Sequence, residues 1–378
     1  MRGSRLVQLS ERVRGALEKL VRKLSAQETV SGVGLFGSWS RGDAVPSSDI
    51  DLLVVNGSVF NYEYVERLES DGLLIDLDYV PKKWIKGSMP PEMDQKIYEM
   101  LILYDRDWSL ANTKNWVSKA YANPERLDIR TETYVVESDL YLSRATSAFA
   151  RGDFQSARVF ASMGVEAILK ILIDINLMPI SNSHFIQVLE EATKRLGMPE
   201  FFAGYLTLAR LHAVGRLEAE RKLNLFKEIW REVTSFMEDH ASTLDSVHFK
   251  TKTRLKYYGK PAFLEGMVAR SQAIMNTEMF DEAAHYVLRT LIDMLENYAW
   301  LVSTEEGVKL NYTTLFRSLM EMEKPPIRVY ENAVEAFNVV DANRKETEKA
   351  VKFAKETNLN LRQQRKDLIR KFIKPRIK

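Results

Sequence analysis

The stretch GLFGSWSRGDAVPSSDIDLLVV, Gly34 to Val55, poses a problem in electrostatics. Its last six residues, Ile50 to Val55, read as a strand that is apolar on both faces, the pattern of a strand inside a sheet. Yet Asp49 and Asp51 stand at its start, and residues two apart in a strand share a face. Carboxylates placed there lose solvation and repel each other unless positive charge lies between them.

Outward from this point, VSGVGLF reads as a strand running into a Gly37-Ser38 turn. LLIDLDYV, residues 73–80, reads as a third strand, stopped by PKKW. Leu73, Ile75, Leu77 and Tyr79 make its apolar face, and Asp76 and Asp78 lie on the opposite one. If the strands at 50–55 and 73–80 are neighbours, three or four carboxylates converge. At about 4 Å and an effective dielectric near 20, each like-charged pair costs about 4 kcal/mol. That is a large share of a domain's stability. Two divalent cations remove the cost, and cations about 4 Å apart suit in-line displacement at phosphorus. Gly37 permits close backbone approach to a phosphate, and Ser38 offers a hydroxyl and an N–H. The WSRG that follows reads as the start of a helix whose N-terminus favours anions. Arg41 has the planar fork that matches phosphate.

Composition narrows the chemistry. The chain has no cysteine, which removes disulfides, thiol catalysis and thiolate metal sites. The five histidines, His184, His212, His240, His248 and His285, show no metal-ligand spacing and read as surface or core residues. Any metal is then a hard cation held by oxygen. At 378 residues, two or three domains are expected. With 45% hydrophobic and 28% charged residues the class is globular and soluble. No apolar run approaches about 18 residues, so no membrane span is expected. The opening MRGSRLVQLSERVRGALEKL reads as an amphipathic helix on Leu6, Leu9, Val13, Leu17, Leu20 and Leu24, without the features of a signal peptide. A cytoplasmic address is expected. The net charge of +2 is uneven, since Arg344 to Lys378 carries 13 Lys/Arg and 4 Asp/Glu, or +9 against −7 elsewhere. A solvated basic helix face is the plainer reading, and an anionic partner such as RNA the alternative.

Strand–helix alternation in the first third implies an α+β domain, a small mixed sheet with flanking helices, over residues 1–125. Helices are expected around Tyr62–Glu69 and Glu92–Glu99, and MLILYDRD, residues 100–107, as a helix end turning into a strand. ANPERLDIRTET, residues 122–133, marks a boundary, and an all-α bundle region follows. It divides into 130–240 and a C-terminal helical region over 245–378. Two long helices are expected to join at Arg151-Gly152-Asp153, glycine ending the first and Asp153 capping the second. Glu166 and Lys170, one turn apart, read as a surface pair. The segments from Arg144 and Arg270 align without gaps at an offset of 126, matching Phe154 with Phe280 and Ala157 with Ala283. This is either a duplicated helical hairpin or a coincidence of helical periodicity.

GSWSRGDAVPSSDIDLLVV resembles the signature of the DNA polymerase beta superfamily of nucleotidyltransferases: a strand, Gly-Ser, then Asp-x-Asp among apolar residues. In detail it looks most like the minimal nucleotidyltransferases, with Arg41-Gly42 and Ser48-Asp49 in place. The resemblance covers roughly residues 30–110. It implies that Gly37, Ser38, Arg41 and Ser48 bind ATP or another nucleoside triphosphate, and that Asp49 and Asp51 hold two Mg2+ ions. It also implies a third carboxylate, Asp76 with Asp78 as the alternative, that joins the catalytic metal and helps deprotonate an acceptor hydroxyl. LSRATSAFARGDFQSARVFASMGVEAILKILIDI resembles a HEPN domain, and the two-part plan is similar to that of kanamycin nucleotidyltransferase. HEPN ribonucleases carry an arginine, four to six residues and then a histidine, and no arginine stands at that spacing before any of the five histidines. The bundle therefore reads as shaping an acceptor pocket or a homodimer interface. The acceptor is a small molecule, a protein hydroxyl or, ranked last, an RNA end reached by 344–378. The competing class is a nucleotide-binding or regulatory module that docks a protein partner.

Overall fold

Five strands build the sheet of the first unit, the central ones buried almost throughout: β1 (Val30–Phe36), β2 (Ile50–Asn56), β3 (Tyr64–Ser70), β4 (Leu73–Pro81) and β5 (Leu101–Asp105). Their order is β3-β4-β2-β1-β5, with β2 and β4 parallel and every other pair antiparallel. This is the small mixed sheet with flanking helices read from the sequence. Ile50, Leu52 and Val54 of β2 pack with Ile75 and Leu77 of β4 against α1 (Glu11–Ser25), whose Val13, Leu17 and Leu24 are buried. Leu53, Val55 and Val80 face the other way, onto Ile97 of α3 (Asp94–Glu99) and Leu110 and Val117 of α4 (Ser109–Ala120). A short helix, α2 (Gly37–Arg41), leaves β1. The computed structural model describes residues 9–324 and 327–373, so Leu6 and the last basic residues, 374–378, lie outside the described residues.

The helix expected around Tyr62–Glu69 is instead the edge strand β3, paired antiparallel with β4 from Tyr64↔Tyr79 to Ser70↔Leu73. The reason lies in the turn. Asp71 (φ 54°) and Gly72 (φ 69°) form a two-residue connection with both φ angles positive, the geometry whose twist matches paired strands. Tyr64 then stacks on Tyr79 with centroids 4.8 Å apart, and cross-strand packing outweighs local helix preference. Glu92–Glu99 and the strand in 100–107 fall as read, as α3 and β5.

Contacts divide the chain into two units: 1–123 with 256–270, and 124–255 with 271–378. The C-terminal region read over 245–378 thus contributes residues 256–270 to the first unit. The helices from residue 124 are α5 (Pro124–Ala150), α6 (Phe154–Ile175), α7 (Phe185–Leu196), α8 (Pro199–Leu208), α9 (Arg216–Asp239) and α10 (Ala241–Ser246). They continue as α11 (Phe249–Tyr258), α12 (Pro261–Asn276), α13 (Phe280–Glu305), α14 (Leu315–Met322), α15 (Val329–Ala336) and α16 (Arg344–Phe372). Among the described residues, no helix is long and apolar enough to cross a membrane.

Asp153 caps α6 by accepting from Ser156 N at 3.0 Å. The break between α12 and α13 falls at the equivalent place: Gly152 (φ 76°) and Glu278 (φ 63°), 126 residues apart, both take left-handed backbone. The first turns of α6 and α13 each also cap a short helix that follows the other. Ser156 Oγ and Asp153 Oδ2 accept from Phe316 N (2.9 Å) and Arg317 N (3.2 Å) at the start of α14. Glu282, 126 residues after Ser156, accepts from Ile186 N (3.2 Å) and Gln187 N (2.9 Å) at the start of α7. Each exchange satisfies amides that a helix N-terminus leaves open. Glu166 and Lys170 do not form the surface pair expected. Glu166 is buried on α6, and Lys170 reaches Glu137 at 2.9 Å. The residues of α16 that recur every three or four positions, among them Ala350, Ala354, Leu361 and Arg365, are buried where it packs on α5 and α6.

Candidate active site

The parallel pairing of β2 and β4 sets Asp51 opposite Asp76. Asp49 lies two residues earlier, at the mouth of β2. One oxygen from each of Asp49, Asp51 and Asp76 lies within 4.8 Å of the others. Asp78, the alternative third carboxylate, is not in this group. Its buried carboxylate receives the ammonium of Lys96, which also bonds Glu63. Burial, less the opposing pull of Lys96, pushes the Asp78 carboxyl well above the usual range.

Compensation within the cluster is unequal. Arg67, on β3, donates through Nε and Nη2 to the two oxygens of Asp76, both at 2.6 Å, and through Nη2 to Asp49 at 2.6 Å. Arg270 Nη2 reaches the other Asp49 oxygen at 3.3 Å, and Tyr257 OH donates to Asp76 Oδ2 at 3.0 Å. Burial pulls the Arg67 guanidinium down, but the Asp76 bonds and nearby negative charge more than offset it, leaving it raised. The rings of Tyr257 and Phe263 flank Arg67 at 5.4 and 5.9 Å. A Cβ at Gly266 would come within 2.6 Å of Arg67 Nη1, so the backbone of 256–270 lies close against this side chain. The carboxylate of Asp51 has no hydrogen-bond partner among the described residues. It keeps some exposed surface, yet loss of water around its carboxyl, then the charges of Asp49 and Asp76, push it well above the usual range.

Three carboxylates therefore share two guanidiniums, and the surplus falls on Asp51. The donor set is all oxygen and fits a hard divalent cation. Asp49 and Asp51 have the most open coordination. Asp76 already accepts three hydrogen bonds of about four that a carboxylate can take, which leaves it one lone pair on Oδ1.

The Gly37-Ser38 turn abuts the same carboxylates. Gly37 has φ 72°, and a Cβ there would run into Asp51 Oδ2, so only glycine brings α2 this close. Its N–H donates to Glu99 Oε1 at 2.8 Å. Arg41 Nη1 reaches both Glu99 oxygens at 2.9 and 3.0 Å, and its Nε reaches Asp43 at 3.0 Å. The largely buried Glu99 carboxylate thus takes donors that the sequence reading assigned to phosphate. The side chain of Ser38 makes no hydrogen bond among the described residues. Ser48 Oγ accepts from Val45 N at 2.9 Å and stands 3.4 Å from Arg270 Nη1.

Sequence reasoning missed Arg67, Lys96, Glu99, Tyr257 and Arg270. Arg67 lay inside the misread helix. Arg270 was visible only as the partner of Arg144 in the internal echo, and Tyr257 carried no signal.

Residues 17–100 match the family model of the nucleotidyltransferase domain. That span holds β1 to β4, Asp49, Asp51 and Asp76, so sheet, carboxylates and match all point to a nucleotidyltransferase domain, with nucleotidyl transfer as its general chemistry. No curated protein matches the sequence. Among solved structures, a nucleotidyltransferase-like protein from Exiguobacterium sibiricum 255-15 aligns over 86% of this chain and 89% of its own, at 12% identity and a TM-score of 0.33. That overlap is too loose to carry any residue across.

Proposed function

We propose that the first unit transfers a nucleoside monophosphate from ATP or another nucleoside triphosphate to a hydroxyl acceptor, releasing pyrophosphate. The observation that carries this reading is Asp51, a desolvated carboxylate without a partner beside Asp49 and Asp76. Magnesium, when bound, would neutralise the triphosphate and make the acceptor hydroxyl more acidic. Asp49, Asp51 and Asp76 would hold the cation in this reading, and Asp76 Oδ1 would accept the acceptor's proton. The acceptor oxygen attacks the α-phosphorus, the bond to the bridging oxygen breaks, and pyrophosphate departs with that electron pair. Ser38 offers a hydroxyl to the phosphates. Gly37 and Arg41 can take part only once phosphate replaces the Glu99 carboxylate, and Ser48 holds the loop before Asp49.

For the second unit the HEPN-like bundle remains our reading, supported by the hairpin of α5 and α6. The acceptor we favour is a small molecule or a protein hydroxyl. An RNA end draws less support, because two cations of α16 already have partners: Arg362 pairs with Asp139 and Arg365 with Asp128 and Glu132. A second reading, a nucleotide-binding module without turnover, is favoured by one observation: Arg67, Arg270 and Glu99 already partner most of the groups a metal–nucleotide would use. Incubation with labelled ATP and Mg2+ separates the two. Pyrophosphate release or label transfer, lost in Asp51→Asn, supports the enzyme, and tight binding without release selects the module.

A further inference from the structure

Within the second unit, α6, α8 and α13 surround one buried carboxylate with donors. Glu166 Oε1 takes Arg289 Nε at 3.1 Å, and Oε2 takes Tyr205 OH and His285 Nε2, each at 3.3 Å. Burial acts to push Glu166 up, but Arg289 and His285 more than offset it and hold the carboxyl down at about 2. His285 Nε2 meets the Glu166 carboxylate, so its other ring nitrogen, Nδ1, is the one left for a different partner. Nδ1 is buried and has no hydrogen-bond partner among the described residues. The ring is held in place by stacking on Phe185, with centroids 4.8 Å apart. An unmet polar atom inside a protein costs about 1–3 kcal/mol, so a ligand group that meets it is favoured.

Glu166, Tyr205, His285 and Arg289 line a narrow cleft that opens to solvent. Arg158 and Arg210 line it too. Both reach the same oxygen, Glu346 Oε2, at 3.3 and 3.5 Å, and Glu346 is 55% exposed; Arg210 Nη1 also donates to the Asn338 carbonyl. Burial and the neighbouring charge of Arg210 pull the Arg158 guanidinium down, the mark of a like-charged pair short of counter-charge. Three arginines thus face one buried carboxylate and one solvated, shared one. The remaining wall includes Leu208, Leu211, Leu288 and Val339.

We propose that this pocket is a second ligand site, for a phosphate group carried on a small organic body. The phosphate lies between Arg158 and Arg210, the body lies against the leucines, and a polar group on the body meets His285 Nδ1. A phosphomonoester carries a charge of about −1.5 to −2 and three acceptor oxygens. It can take forked bonds from two guanidiniums at once, which a single distant carboxylate oxygen does not. Free inorganic phosphate shares the anionic half of this chemistry, and only an organic phosphate uses the apolar wall and His285.

The test is calorimetric titration of the full chain with AMP, ribose 5-phosphate and inorganic phosphate. It is run in EDTA on the Asp51→Asn background, so that metal-dependent nucleotide binding does not contribute. Saturable binding is expected, weakened by about tenfold or more in Arg158→Ala/Arg210→Ala. Glu346→Gln, a change at an exposed position that removes the one carboxylate both arginines share, is expected to tighten binding several-fold. Tighter binding of the organic phosphates than of the free ion supports the site as described, and equal affinities support the anion subsite with free phosphate as its source. Absence of binding by all three, or affinity unmoved in both variants, overturns the proposal.

Discussion

In the first unit three carboxylates share two guanidiniums; in the second, one carboxylate is shared by an arginine, an imidazole and a phenol. Both groups are desolvated, and desolvation alone pushes any carboxyl up. What separates them is the count of donors. Asp51 has none and is pushed well above the usual range, while Glu166 has three and is held at about 2. A buried surplus of negative charge marks a place for a cation. A carboxylate already satisfied, with further arginines around it, marks a place for an anion. Burial identifies neither on its own.

The largest test of that contrast is Asp51→Asn. Magnesium-dependent pyrophosphate release should fall about a thousandfold, equivalent to about 4 kcal/mol, while the melting temperature in EDTA holds or rises because a repulsive charge is gone. Loss of folding instead would make the cluster structural and erase the distinction.

Glu166→Gln should act in the opposite sense, on stability. It leaves Arg289 buried without its anion, a loss of about 3–5 kcal/mol in urea denaturation at pH 7. The acid limb sharpens this. The folded-state pKa of about 2 lies below the ordinary 4.5, so the stabilisation is complete above about pH 5 and lost as pH falls towards 2. Its size is about 3 kcal/mol. The gap between wild type and variant should close over that window, and a constant gap would refute the assignment.

Gly37→Ala should cost about 1–2 kcal/mol for the left-handed backbone alone. It should also lower the transfer rate, because the added methyl displaces Asp51. Full activity with unchanged metal affinity would show that α2 does not need its close approach to the carboxylate. A comparable effect on stability alone belongs to Tyr257→Phe, about 1.5 kcal/mol for one hydrogen bond to a charged group, read by thermal melts. A neutral result would separate 256–270 from the cluster energetically.

Much of the first site was legible. The two-residue spacing of Asp49 and Asp51, and a third carboxylate on another apolar strand, follow from strand periodicity, which acts within a few residues. The choice of Asp76 over Asp78 could not be read that way, since both point to one side of β4. The presence of Lys96 beside Asp78 separates them. The strand at Tyr64–Ser70 was misread although Asp71-Gly72, a strong hairpin signal, lay beside it, and with it went the role of Arg67. Tyr257 and Arg270 were out of reach altogether, being about two hundred residues from the carboxylates they touch. The capping role of Asp153 was readable, and the matching role of Glu282 was hidden because its amides belong to a helix nearly a hundred residues earlier.

Local pattern by itself determined the mixed sheet, the helical remainder, the clustered aspartates and the glycine turn, because each depends on steric and hydrophobic periodicity over a short window. Tertiary structure decided the charge on those aspartates. Compensation depends on which distant cation comes within about 3 Å, and Coulomb energy changes over ångströms that sequence separation does not record. The same holds for Glu166, which one helix presents as an ordinary exposed-looking residue and whose surroundings come from two others.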